Sequence, residues 1–140
     1  MSYLIDTCCI SEVTRPNPDP NVLSWFSGHD ESEMYLSVIT IGEITKGIEK
    51  LPDSGKKSQL HHWVNHDLKE RFNYRIIDLT MPEIVKWGRV LANCEKAGTP
   101  MPAVDALIAS TALVHDLIVV TRNVDDMKPA GVRVENPWEG

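Results

Sequence analysis

The sequence predicts an α/β protein: a three-layer α/β/α sandwich on a mainly parallel sheet of about five strands. Three observations lead there. Short apolar runs at Tyr3–Ile5, Tyr35–Ile39 and Ile118–Val120 each lead into acidic or amide residues beyond their C-terminal ends, as strands buried on both faces do. Stretches with apolar residues at helical spacing separate these runs. The alternation fills 140 residues, enough for one domain over 1–140 with helices on both sides of its sheet.

The elements follow in order. Residues 2–6 are the first strand, and a short helix at about 7–14 is halted by Pro16, Pro18 and Pro20. Val22, Leu23, Trp25 and Phe26 make 20–27 a short amphipathic helix ended by Gly28. Residues 34–38 are the second strand. Ile41, Ile44, Ile48 and Leu51 then give a helix over about 40–51. Pro52-Asp53-Ser54-Gly55 is a turn. Leu60, Trp63, Val64, Leu68 and Phe72 place one stripe on a longer helix that ends near Phe72. Arg75–Leu79 is the third strand. Thr80, with Glu83 three residues on, is a capping box, and it opens a helix with the stripe Ile84, Trp87, Leu91 and Cys94. Gly98 ends that helix. After the stiff link 99–102, Ala103, Ala106, Ala109, Ser110 and Ala112 make 103–115 a small-residue helix suited to close packing in the middle of the molecule. Residues 117–121 and 132–135 are the fourth and fifth strands.

Bulk composition narrows the function. Net charge is −6, from 14 basic and 20 acidic residues, which argues against coating nucleic acid by bulk electrostatics but not against a local grip on a few phosphates. No apolar stretch nears the roughly 20 residues of a membrane span, and no secretory signal is evident, so no membrane association is expected and the expected compartment is the cytoplasm. Cys8 and Cys9 are sequence neighbours and Cys94 stands apart. Buried reduced thiols are expected, not a disulfide or a zinc site.

The polar residues at the strand ends matter more as a set than singly. In open α/β sheets the ligand crevice lies outside the carboxyl ends of the strands. Asp6 follows the first strand and Glu43 the second. Asp105 opens the small-residue helix, and Asn123, Asp125 and Asp126 follow the fourth strand. Each has a local reading. Asp6 suits a helix N-cap, Asp105 a first helical turn, and Thr40-x-x-Glu43 matches a capping box. Together they form an acidic pocket whose charges repel unless a cation lies among them. An all-oxygen set suits Mg²⁺, with Mn²⁺ as substitute, and the chemistry expected there is phosphodiester hydrolysis. Arg15, Lys46 and Arg122 are the best-placed cations for substrate phosphates, and Thr7 and Thr121 are placed to orient water or phosphate. A solvated surface is the competing reading for the cations, and ordinary capping for the threonines. His62 and His66 are i,i+4 neighbours without the rest of a metal site. Trp25, Trp63 and Trp87 read as core or interface, and Trp138 as an exposed anchor or a lid on the core.

The string Leu4-Ile5-Asp6-Thr7, followed by Ile10-Ser11-Glu12, resembles the opening of PIN-domain ribonucleases, above all the VapC-type toxins of bacterial toxin–antitoxin pairs and their FitB-like branch. The segments 36–44, 105–112 and 120–123 resemble the later motifs of that family in order, and Asn136-Pro137-Trp138 resembles the tail of that branch. The resemblance implies a PIN-like fold and a metal-dependent endoribonuclease. It implies catalytic and metal residues at Asp6, Glu43 and Asp105, with Asn123 and Asp126 or Asp125 completing the set. It also implies an RNA substrate, a homodimer and a cognate antitoxin whose C-terminal segment blocks the site. That segment is expected to lay apolar side chains between the helices at 20–27 and 40–51, against Trp25 and Ile48. Two departures stand out: Cys8 replaces a usual Asn, and the fourth acidic position is Asn123. The alternative is a degenerate PIN domain that binds metal or partner without hydrolysis. An aspartyl-nucleophile phosphohydrolase would want a second Asp at position 8, and a receiver-like module would want paired acids before its first helix.

Overall fold

In the computed structural model, which describes residues 1–140, β1 (Tyr3–Ile5) lies at the centre of a five-stranded sheet. Its neighbours are β2 (Met34–Ser37) and β4 (Ile118–Val120), with β3 (Ile76–Ile77) and β5 (Val134–Glu135) at the edges. The order is β3-β2-β1-β4-β5, and every pairing is parallel. Tyr3 pairs with Met34 on one side and with Ile118 on the other. The chain builds outward through β2 and β3, then returns to the other flank of β1 with β4. The switch point therefore falls between the C-terminal ends of β1 and β4, where such sheets open a crevice.

Side chains alternate across the strands and so split the core in two. Tyr3, Ile5, Leu36, Ile118 and Val120 join Ile44, Ile48, Val64, Leu68 and Phe72 on one face. Leu4 and Val119 join Val90, Cys94, Ala106, Ala109 and Ala112 on the other. The first face is covered by α1 (Thr7–Val13), α3 (Val38–Glu49) and the helical run over 55–71. The second is covered by α6 (Met81–Lys96) and α7 (Ala103–His115), with α2 (Pro20–Ser27) at the margin of the first. The expected three layers are present, and Ala106, Ala109 and Ala112 of α7 are buried as their size suggested, while Ala103 at its start is exposed.

Several boundaries differ from the sequence reading. The second strand stops at Ser37 because that hydroxyl accepts from the Ile39 N–H at 3.1 Å, so α3 starts at Val38 and not at 40. Thr40 is therefore inside the helix, and the Thr40-x-x-Glu43 capping box does not form. The long helix is interrupted: α4 (Gly55–His62) passes into a π-helical segment, Trp63–Leu68, and then into α5 (Lys69–Arg71). Leu60, Val64, Leu68 and Phe72 are four apart, and on an α-helix such residues drift about 40° per step. The wider π turn reduces that drift and keeps Val64, Leu68 and Phe72 on the core. On α6, Glu83 is buried while Ile84 is 40% exposed. Glu83 is drawn inward because it accepts from the Thr80 N–H (2.7 Å) and hydroxyl (2.6 Å) and pairs with His115 of α7 at 3.3 Å.

Candidate active site

Asp6 leaves β1 at the switch point and caps α1. Its backbone N–H donates to Val120 O on β4 (2.9 Å), which fixes the strand end. One carboxylate oxygen accepts from the Thr7 N–H at 2.8 Å, and the other accepts from the Thr121 hydroxyl at 2.7 Å. The capping role and a place in the crevice are thus both realised, and Asp6 is only 6% exposed. The Cys8 thiol lies 3.8 Å from Asp6 Oδ2 and 3.6 Å from Thr121 Oγ1, so it edges the site where the resemblance expected an amide.

Glu43 projects from α3 into solvent, and its Oε1 accepts from the Thr7 hydroxyl at 2.6 Å. Thr7 Oγ1 is also 3.2 Å from Thr40 Oγ1. A hydroxyl has one proton, so Thr7 shares it between the Glu43 carboxylate and the buried Thr40 oxygen, with the shorter bond to Glu43. This chain from Thr40 through Thr7 to Glu43 was hidden in the sequence by the capping-box pattern. The signal that could have shown it is Thr40 one helical turn before Glu43, on the buried side of the same helix.

Asp105, half-buried in the first turn of α7, brings the set together. Its carboxyl is pushed above the ordinary range, first by burial and then by the charges of Asp6, Asp126 and Glu43. Asp126, on α8 (Val124–Met127), therefore shares the field of the other three acids. Asp125 lines the same cavity as Asn123 and Asp126, but it is exposed and pairs with Lys128 at 3.3 Å. Asn123 stands at the start of α8, and its backbone N–H donates to Thr121 Oγ1 at 3.0 Å. Thr121 thus ties the Asn123 turn to Asp6.

The predicted cations fall on two sides. Arg122 and Arg15 line one cavity with Trp138. Lys46 lines another with Glu43 and Val104. His62 and His66 lie 4.5 Å apart between centroids, tilted by 32°, on an exposed face, with no further ligand group beside them. Trp25, Trp63 and Trp87 are half-buried against the two core clusters.

The donor set is all oxygen and carries uncompensated negative charge, as a hard divalent ion requires. No three His, Cys, Asp or Glu side chains are arranged to hold one ion between them. Each of two acids is instead drawn toward a threonine. Mg²⁺ takes one or two direct carboxylates and keeps several waters, so the residues fit a largely hydrated ion.

A model of the PIN domain matches residues 3–130. The chain belongs to the PIN-domain family. Toxin FitB of Neisseria gonorrhoeae is 33% identical, the alignment covering 96% of this PIN protein and 97% of FitB. VapC ribonuclease Y4jK of Sinorhizobium fredii is 26% identical over 97% of each chain. The crystal structure of FitAcB from Neisseria gonorrhoeae superposes with a TM-score of 0.94 at 33% identity, covering 99% of both chains. The sequence resemblance and the parallel α/β architecture are both borne out.

Proposed function

We propose that this PIN protein is a metal-dependent endoribonuclease and the toxin of a toxin–antitoxin pair, acting as a single nuclease domain over 1–140. The observation that carries the reading is the Asp105 carboxyl, half-buried in the combined field of Asp6, Glu43 and Asp126 at the switch point of a parallel sheet. Relatives bearing the names toxin and ribonuclease support it. Asp6, Glu43 and Asp105 would hold Mg²⁺, or Mn²⁺ in its place, directly or through water, with Asp126 and Asn123 completing the set. A bound divalent ion supplies positive charge for the phosphoryl oxygens and lowers the pKa of a water.

The chain's own residues do the rest. One of the three carboxylates takes the proton of the attacking water. Thr7 and Thr121 hold Glu43 and Asp6 in place. Lys46 on one flank and Arg15 and Arg122 on the other meet the substrate phosphates. The protein works in the cytoplasm as a homodimer, and a cognate antitoxin masks it by placing a basic side chain among the acids. The apolar groove open to that partner lies between α3 and the 55–71 run, lined by Ile44, Leu51, Leu60 and Trp63. Ile48, named with Trp25 for the expected docking between α2 and α3, lines this groove as well, whereas Trp25 is stacked on His29.

Incubating the protein with labelled RNA and Mn²⁺ tests the reading. Cleavage is expected, with loss in Asp6→Asn and in chelator. The amide at Asn123 and the absence of a ready three-acid cluster favour one competing reading, a PIN domain that binds metal or partner without hydrolysis. Mn²⁺ binding without cleavage would select it.

A further inference from the structure

A cavity of about 650 Å³ is walled by Glu12, Arg15, Asn17, Asp19, Arg122 and Trp138. It adjoins the acidic site: Arg122 also lines the neighbouring cavity that holds Asn123 and Asp126, and it follows Thr121, whose hydroxyl holds Asp6. The two carboxylates in the wall are already engaged. Glu12, 7% exposed, accepts from Arg15 at 3.2 Å and from the Asp19 N–H at 2.9 Å. Asp19 accepts from the Asn21 N–H at 2.8 Å as the cap of α2. Arginine–carboxylate pairs are made by Arg15, Arg71 and Arg133, and Arg122 belongs to none of them.

Arg122 is held in another way. Its guanidinium carbon lies 5.2 Å from the centroid of the Trp138 ring. The main chain of Trp138 is itself fixed, its backbone N–H donating to Asn136 Oδ1 and its carbonyl accepting from the Asn21 side chain of α2, both at 2.9 Å. The guanidinium is thereby pre-oriented over the indole ring, and its N–H groups have no carboxylate partner. Pre-orientation lowers the ordering cost of binding.

We infer that the Arg122–Trp138 stack, with Arg15 behind it, is a subsite for single-stranded RNA flanking the scissile bond. The inference rests on the nuclease reading above. The edges of Arg122 take a phosphate in charge-assisted hydrogen bonds. An unpaired base continues the Trp138–Arg122 stack, which a duplex cannot do because its base faces are covered. A protein of net charge −6 has no bulk attraction for RNA and needs such a local grip.

Anisotropy of a short labelled RNA of mixed sequence, single-stranded and as a duplex, is measured with the full chain in chelator across a salt series. The single strand is expected to bind more tightly than the duplex. Arg122→Ala should weaken single-strand binding about tenfold and reduce the salt slope by about one. Arg122→Lys should restore the slope but not the affinity, because it keeps the charge and loses the plane. Trp138→Phe should keep most of the binding, and it guards against a fold lost on truncation. Equal affinity and slope for Arg122→Ala and wild type would overturn the subsite while leaving the nuclease reading intact. Equal binding of duplex and single strand, with Arg122→Lys matching wild type, would overturn the stacking. Release of a co-purified partner protein by Arg122→Ala with no change in RNA binding would give the pocket to the partner. No RNA binding by wild type in either form would remove the nuclease reading as well.

Discussion

Asp105 sits in a field of like charge, so its neutralisation should act in the direction opposite to that of most buried substitutions. Asp105→Asn removes repulsion from Asp6, Glu43 and Asp126. In chelator the variant should melt higher than wild type by about 3 °C, the scale of roughly 1 kcal/mol in a chain of this size. Mn²⁺ should stabilise wild type by mass action and leave the variant unmoved. Differential scanning calorimetry reads both effects, and identical Mn²⁺ responses would misplace the metal site. Thr121 acts the other way. Its buried hydroxyl donates to Asp6 and accepts from the Asn123 N–H. Thr121→Val keeps the shape and loses a bond to a carboxylate, at about 1.5–3 kcal/mol, measurable as a lower midpoint in urea. At the fourth position, Asp126→Ala should weaken Mn²⁺ binding by titration calorimetry, whereas Asp125→Ala should not, because Asp125 faces Lys128.

The first turn of α6 shows how one element is tied to another. Glu83 accepts both Thr80 donors and reaches across to His115 of α7. Its carboxyl is held below the ordinary range by the Thr80 hydroxyl and then by the Thr80 N–H. A depressed folded value means that the stabilisation is complete above the unfolded value, about 4.3. It is lost as pH falls through the folded value. Glu83→Gln should therefore be less stable than wild type at neutral pH, by about 1 kcal/mol if it resembles the loss of a cap. The two proteins should converge in acid. Chemical unfolding over a pH series from 7 downward checks this, and a gap that does not narrow as pH falls would show that the ionised carboxylate is not what holds the helix start.

Taken whole, the molecule places an acidic centre between two flanks that carry cations, Lys46 on α3 and Arg15 with Arg122 near the C-terminal tail. An antitoxin that masks the centre with a basic side chain binds partly by charge, so its affinity should fall as salt rises. If it also fills the groove between α3 and the 55–71 run, Leu60→Asp should weaken the complex without changing the Mn²⁺ response. Co-purification with the product of the adjacent reading frame, at low and high salt, measures this. A complex indifferent to salt and to Leu60→Asp would place the partner elsewhere.

The strand positions and the acids at the strand ends were readable from the chain, because burial on both faces leaves an apolar run and polar residues gather where it stops. Tyr3–Ile5 with Asp6 and Ile118–Val120 with Asn123 are the clearest cases. The partner of each acid was not readable. Glu43 looked like a helix cap and instead takes the hydroxyl of Thr7, 36 positions away in sequence. Asp125 and Asp126 looked equivalent, and Lys128 and Asp105 tell them apart. Arg122 and Trp138 carry no local pattern that announces their stack. Periodicity and capping report only on a residue's own turn or strand. Strand order β3-β2-β1-β4-β5 decides which distant turns meet, and the return of the chain to the far side of β1 brings Thr121 to Asp6.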